Sequence, residues 1–318
     1  MGNGGFDLFD PETAPRGVAT LIKTPMVQQG RVDEASYARA TQHVVDIGTC
    51  LAITGMPGSE AHSIPDADRV RCLEITLDIC KDRVPVCAAV LGASIREVVA
   101  AAERAEKMGA DLIAVVPPAW MRNEDDIATC IKTVASSIEL PIMVHSIAIG
   151  GVPLSIERLA RLPVETSNVR YLKEEAEYGP RRISQLLEQP GDEGYLRIMT
   201  SQPLVAAYLA GARLFMAAPD LIEVYMAVFD ALEGGDPAEA RRIEALMGQV
   251  FTFKRYVSGE LANKVIQHRR GLFDSPLRAS PSVSGGLTTL TPAEEEDLTE
   301  ALRPLLPYFT KYPPRPPA

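Results

Sequence analysis

A chain of 318 residues is long for one average domain but fits a single large α/β unit of about 250 residues with an appendage. Apolar residues make up 46% and charged residues 23%, and a formal charge of −10 without a basic patch excludes nucleic acid and an anionic membrane surface as main partners. Five cysteines (Cys50, Cys72, Cys80, Cys87, Cys130), odd in number and without a CxxC pair, read as reduced thiols of a cytoplasmic protein. The N-terminus lacks a basic region followed by an apolar run, and no stretch approaches the roughly 20 apolar residues of a membrane span.

In chain order, the first buried strand runs from Gly17 to Ile22. The segment "DIGTCLAIT" (46–54) then combines a helix end, a glycine and an apolar strand, a plan repeated in "KMGADLIAVVPP" (107–118) and "LAGARLFMAAP" (209–219). Gly48, Gly109 and Gly211 are placed as left-handed helix caps. Continuous apolar runs at Pro85–Leu91, Leu140–His145, Asn168–Lys173 and Tyr195–Thr200 complete eight strands of the kind covered on both faces. Helices alternate with them. The clearest follows Ser94, where Ser94 and Glu97 form a capping box and Ile95, Val98, Val99, Ala102 and Met108 mark an apolar face.

No GxGxxG follows the first strand, so a dinucleotide-binding open sheet is set aside for a (β/α)8 TIM barrel. From Asp220 onward only helices are expected. "DPAEARRIEALMGQVFTF" carries an apolar stripe, "SPLRASPSVSGG" reads as loop, and "TPAEEEDLTEALRPLL" opens with a capping box of Thr291 and Glu294. The expected organisation is an N-terminal extension (1–15), the barrel (16–220), a C-terminal helical region completing and flanking it (221–308), and a disordered Pro-rich tail (309–318).

In a barrel of this kind the chemistry sits at the C-terminal strand ends. Lys173 ends the sixth strand in the parity of Val169 and Tyr171, so it shares their face. A desolvated amine there has a lowered pKa and can form a Schiff base with a ketone. The competing reading is a solvated loop lysine paired with Glu174 or Glu175, since a close carboxylate raises the pKa. The absence of HExxH, of clustered His and carboxylate, and of a P-loop leaves no cofactor and no metal suggested.

The chain resembles the dihydrodipicolinate synthase and N-acetylneuraminate lyase family of class I Schiff-base aldolases over roughly residues 15–305. "GVATLIKTPMVQQGRVDEASY" is similar to that family's first strand, "TPF" turn and "G-x-VD" segment. "TGMPGSEAHSIPDADR" stands in place of its "GTTGE" loop, "LPIMVHSIAIGG" in place of a strand ending in Tyr-Asn, "VRYLKEE" in place of the strand ending in the Schiff-base lysine, and "GDPAEARRIEALM" at the start of its C-terminal helices.

The resemblance implies that Lys173 forms the imine. The family's proton-shuttling tyrosine falls at His145, and histidine also transfers protons near pH 7. A histidine merely hydrogen-bonded at a strand end is the alternative. The two threonines that help hold a pyruvyl carboxylate fall at Met56 and Pro57, which supply no hydroxyl. Gly55, Gly58 and Ser59 could still present amides, and Ser59 a hydroxyl. Glu60 is a candidate acid or base, His62 a possible lining residue, and Ser146 stands for the family's asparagine. Thr200 and Ser201 are candidate hydroxyls, Ser201 also reading as a helix cap, and Met216 is placed with the substrate-binding residues. The aromatic lent by a neighbouring subunit falls at Pro118 or Ala119, with Trp120 beside it, and the second-substrate arginine falls near Gly150. These replacements argue against dihydrodipicolinate synthase activity itself.

The expected function is a lyase that cleaves or condenses C–C bonds of a pyruvate-type 2-oxo acid, reversibly, through a lysine imine. Its partners would be a small 2-oxo acid or ketone and further copies of the chain, as a dimer or tetramer. Alternatives are a Schiff-base dehydratase or hydratase of a 2-oxo sugar acid, a lyase of a ketone lacking the carboxylate, and a diverged barrel with a binding role.

Overall fold

A computed structural model describes residues 6–28, 30–147, 153–189, 194–279 and 287–317. Among the described residues there are ten strands: β1 (Gly17–Leu21), β2 (Met26–Gln28), β3 (Arg31–Val32), β4 (Leu51–Thr54), β5 (Val86–Val90), β6 (Leu112–Val115), β7 (Ile142–Ser146), β8 (Val169–Glu174), β9 (Arg197–Thr200) and β10 (Leu214–Ala217). Eight form a closed barrel in the order β1-β10-β9-β8-β7-β6-β5-β4, as the alternation of apolar runs and helices implies. The sequence reading missed only the short antiparallel hairpin of β2 and β3. Its strands have three and two residues, too few to show a period.

By contacts the chain divides into two compact units, residues 1–19 with 81–216 and residues 20–80 with 217–318. In the first, β5 to β10 pair in parallel. Their connections return through helices such as Ile95–Met108, which buries Val98, Ala102 and Ala105. Ser94 caps that helix by accepting from the Glu97 amide, but the Glu97 carboxylate reaches the amide of Ala93, not of Ser94, so the expected box closes one residue early. Gly211 has φ 116°, and a Cβ there would lie 2.3 Å from the Leu187 side chain. The left-handed backbone conformation is what calls for glycine, since the Leu187 contact is with a methyl at the end of an exposed side chain.

The segment before β1 is fixed to the same unit. Arg197, the first residue of β9, donates to the carbonyls of Pro11, Ala14 and Pro15, and the Tyr171 hydroxyl donates to Leu8 O at 2.8 Å.

In the second unit the helices Glu34–Ile47, Asp66–Cys80, Ile222–Glu233, Pro237–Val257, Gly259–Arg269 and Pro292–Leu302 surround apolar clusters such as Ala40, Leu272 and Phe273. The Thr291–Glu294 capping box is complete. The C-terminal tail, expected to be disordered, is instead tied down. The buried Arg270 guanidinium donates to the carbonyls of Lys311 and Tyr312 as well as Pro219 and Asp220, pairs with Glu223, and lies over the Phe309 ring, while Arg315 N bonds Arg269 O at 3.0 Å. A desolvated guanidinium needs its five N–H groups satisfied, and tail carbonyls supply part of that set.

Candidate active site

Register decides which side chains can meet. His145 of β7 is level with Lys173 of β8, and Lys173 with Met199 of β9. Side chains alternate along each strand, so His145, Lys173 and Met199 share one face, and Ser201, two residues beyond Met199, continues it. Glu175 likewise follows Lys173 by two.

These residues converge. Lys173 Nζ lies 3.1 Å from His145 Nε2 and is in contact with the Glu175 carboxylate. His145 Nε2 is 2.9 Å from the same carboxylate oxygen, and Ser201 Oγ donates to the other. Lys173 and His145 are buried, at 1% and 7% exposure. Burial pushes the Lys173 pKa below the ordinary lysine value against the opposing pull of Glu175. Burial and then the Lys173 charge lower that of His145. Burial would raise the Glu175 carboxyl, but Lys173 and His145 outweigh it and hold the group well below the usual carboxylate range. The result is an ionised carboxylate, a neutral imidazole and an amine with reduced proton affinity in mutual contact.

Glu174 takes no part in this group. Its carboxylate accepts from Ala176 N at 2.8 Å and pairs with Arg182, which also donates to Leu154 O at 2.6 Å. The pair closes the β8 loop into a tight turn, and Glu175 N bonds Ser146 O at 2.9 Å. Of the two acids that follow the lysine, only Glu175 is therefore its partner. The sequence signal was the i, i+2 spacing, which places both on one face.

Among the other candidates, Ser201 contributes its hydroxyl and is no helix cap, because Pro203 occupies that position. Thr200 is buried but level with Phe215 and in the parity of Leu172, away from the face of Lys173. Ser146, level with Glu174, also lies out of that parity, and its buried Oγ, like His145 Nδ1, has no hydrogen-bond partner among the described residues. Met216 is the one partly exposed residue of β10. Trp120 is 58% exposed, with its indole N–H donating to Ala93 O at 2.7 Å, and Gly150 lies outside the described residues.

Gly55 to Glu60 and His62 belong to the second unit. There the Ser59 amide and hydroxyl both bond Met56 O, and the Glu60 amide bonds Pro57 O, because Pro57–Ser59 is a single 3-10 turn. Ser59 thus turns its donors inward instead of offering them to a ligand. Gly58 O accepts from Lys23 Nζ at 2.7 Å. Met56 and Pro57 are buried. Glu60 is buried in a left-handed conformation (φ 63°) and paired with Lys264 and Arg278, so it is an ion-pair member and not a free acid or base. His62 is exposed.

No helix among the described residues is long and apolar enough to cross a membrane, and none of their His, Cys, Asp and Glu side chains form a group of three or more able to hold a metal ion.

Residues 14–258 match the model of the dihydrodipicolinate synthetase family. A 4-hydroxy-tetrahydrodipicolinate synthase of Acidiphilium cryptum is 30% identical over 148 residues, which span 46% of this chain and 51% of that protein, so this match covers about half of the relative's length. 4-Hydroxy-tetrahydrodipicolinate synthase 2 of Streptomyces coelicolor is 28% identical over 295 residues, 91% of this chain and 94% of that one. In three dimensions, the solved 4-hydroxy-tetrahydrodipicolinate synthase of Methylacidiphilum fumariolicum SolV matches with a TM-score of 0.81 at 22% identity, over 91% of this chain and 95% of that chain. At that identity the likeness concerns the fold.

Proposed function

The chain belongs to the dihydrodipicolinate synthetase family, and from that premise we propose that it is a lyase in which Lys173 forms a Schiff base with a pyruvate-type 2-oxo acid and a carbon–carbon bond is made or broken reversibly. The observation that carries this reading is the buried Lys173 amine, its proton affinity lowered by burial, at 3.1 Å from an imidazole at the C-terminal end of a barrel strand. A neutral amine adds to the ketone, water leaves the carbinolamine, and the iminium draws electrons from the neighbouring bond. His145, in contact with the nitrogen, carries protons to and from the substrate oxygen.

The replaced family groups, with His145 at the tyrosine position and no phenol at Pro118 or Ala119, support an acceptor other than that of the synthases named above.

The test is borohydride trapping with pyruvate and, in parallel, hydroxyacetone, followed by mass spectrometry of the Lys173 peptide. A pyruvate adduct on Lys173, absent in Lys173→Met, is expected. An adduct with hydroxyacetone alone would move the substrate to a ketone without the carboxylate, and no adduct in folded protein would refute the imine.

A further inference from the structure

Lys173, His145 and Glu175 touch one another pairwise, and which of the two partners serves as base follows from their proton bookkeeping. An ionised carboxylate only accepts hydrogen bonds. His145 meets both Glu175 and Lys173 through one atom, Nε2, so the proton that satisfies the 2.9 Å contact with Glu175 lies on that nitrogen. Its remaining lone pair is on Nδ1, on the far side of the ring from Lys173. The imidazole thus faces the amine as a donor. Glu175 is the group that faces it with lone pairs, and the Ser201 hydroxyl holds the other carboxylate oxygen in place.

When the neutral amine becomes an iminium it keeps one N–H where the amine had two. A lone pair of Glu175 is then released, and the acidified α-carbon is two bonds from the nitrogen that Glu175 touched. We propose that Glu175 is the catalytic base that removes the α-proton of the Lys173 iminium, with Ser201 as the positioning residue and the neutral His145 as a hydrogen-bond donor beside the reacting nitrogen. The C–H bond breaks and its proton goes to the Glu175 carboxylate. The C–H electron pair becomes the enamine double bond, and the C=N π pair returns to nitrogen. Reversal of the step returns the proton to carbon. The environments agree with this division, one group being held ionised and the other neutral.

The inference rests on the imine reading, and the experiment separates the two. Pyruvate or hydroxyacetone is incubated with the full chain in deuterium oxide. Exchange of the α-hydrogens is followed by NMR, and imine formation is measured in parallel by borohydride trapping at Lys173. Glu175→Gln is expected to lower exchange by at least about 100-fold while trapping falls by less than about threefold, since general-base catalysis contributes roughly 10²–10⁴. Ser201→Ala is expected to lower exchange about tenfold and to alter its pH profile, again without loss of trapping. Exchange per trapped imine at the wild-type rate in Glu175→Gln overturns the assignment to Glu175 and leaves the imine standing. Parallel loss of trapping and exchange in both variants, with circular dichroism unchanged, also overturns it. A wild type that traps neither compound overturns the imine and the role of Glu175 together.

Discussion

Removing the Arg182 guanidinium tests how the turn after β8 is held. Glu174 is 1% exposed, and its carboxylate is compensated by Arg182 and by the Ala176 amide. Arg182→Met keeps much of the aliphatic stem but leaves that carboxylate buried with one donor, and it also removes the donor to Leu154 O. Breaking one side of a buried pair costs about 3–5 kcal/mol. Because the Arg182 side chain is 16% exposed, water can replace part of what is lost, and the low end, about 3 kcal/mol, applies. With an unfolding entropy of about 2.1 cal/mol/K per residue, a chain of 318 residues loses roughly 1.5 °C per kcal/mol, so the melting temperature falls by about 4–5 °C. Urea unfolding followed by circular dichroism at pH 7 measures the free energy directly. The double variant Glu174→Gln/Arg182→Met removes both charges and should recover most of the loss. A single variant within about 1 kcal/mol of wild type, or a double variant no better than the single, would refute the reasoning.

The pH dependence of trapping follows from the same charges. Burial lowers the Lys173 pKa and Glu175 raises it, so reactive amine accumulates below the ordinary lysine range, and Glu175→Gln, which removes only the raising influence, should move half-maximal trapping to lower pH. A shift to higher pH in rate-against-pH measurements would contradict this. Arg270→Met, which removes the donors to Lys311 and Tyr312, should make the C-terminal tail a preferred site of limited proteolysis, read by mass spectrometry; unchanged cleavage would show that the tail is held by other contacts.

The eight barrel strands and the glycine-punctuated plan are local properties. Apolar runs, strand lengths and the left-handed positions at Gly48, Gly109 and Gly211 each lie within a few consecutive residues, so the chain alone determined them. Strand parity was equally local, and it placed Lys173 on the face of Tyr171. Partners on that face were another matter. That Lys173 is level with His145 and Met199, so that Ser201 and not Thr200 reaches Glu175, depends on the register of three strands far apart in sequence. The i, i+2 parity of Lys173 and Glu175 told which of the two adjacent acids shares the face of the amine, but not that Arg182 is the partner of the other, Glu174. Glu60 read as a candidate acid because its partners Lys264 and Arg278 come from the distant C-terminal region, and the tail read as disordered because nothing in "YPPRPPA" reveals that a buried arginine needs its carbonyls. Periodicity and turn chemistry arise between neighbours along the chain, whereas the pairing of buried charges arises between segments that only folding brings together, and for that reason the barrel was legible in the sequence while the network around Lys173 was decided by tertiary structure.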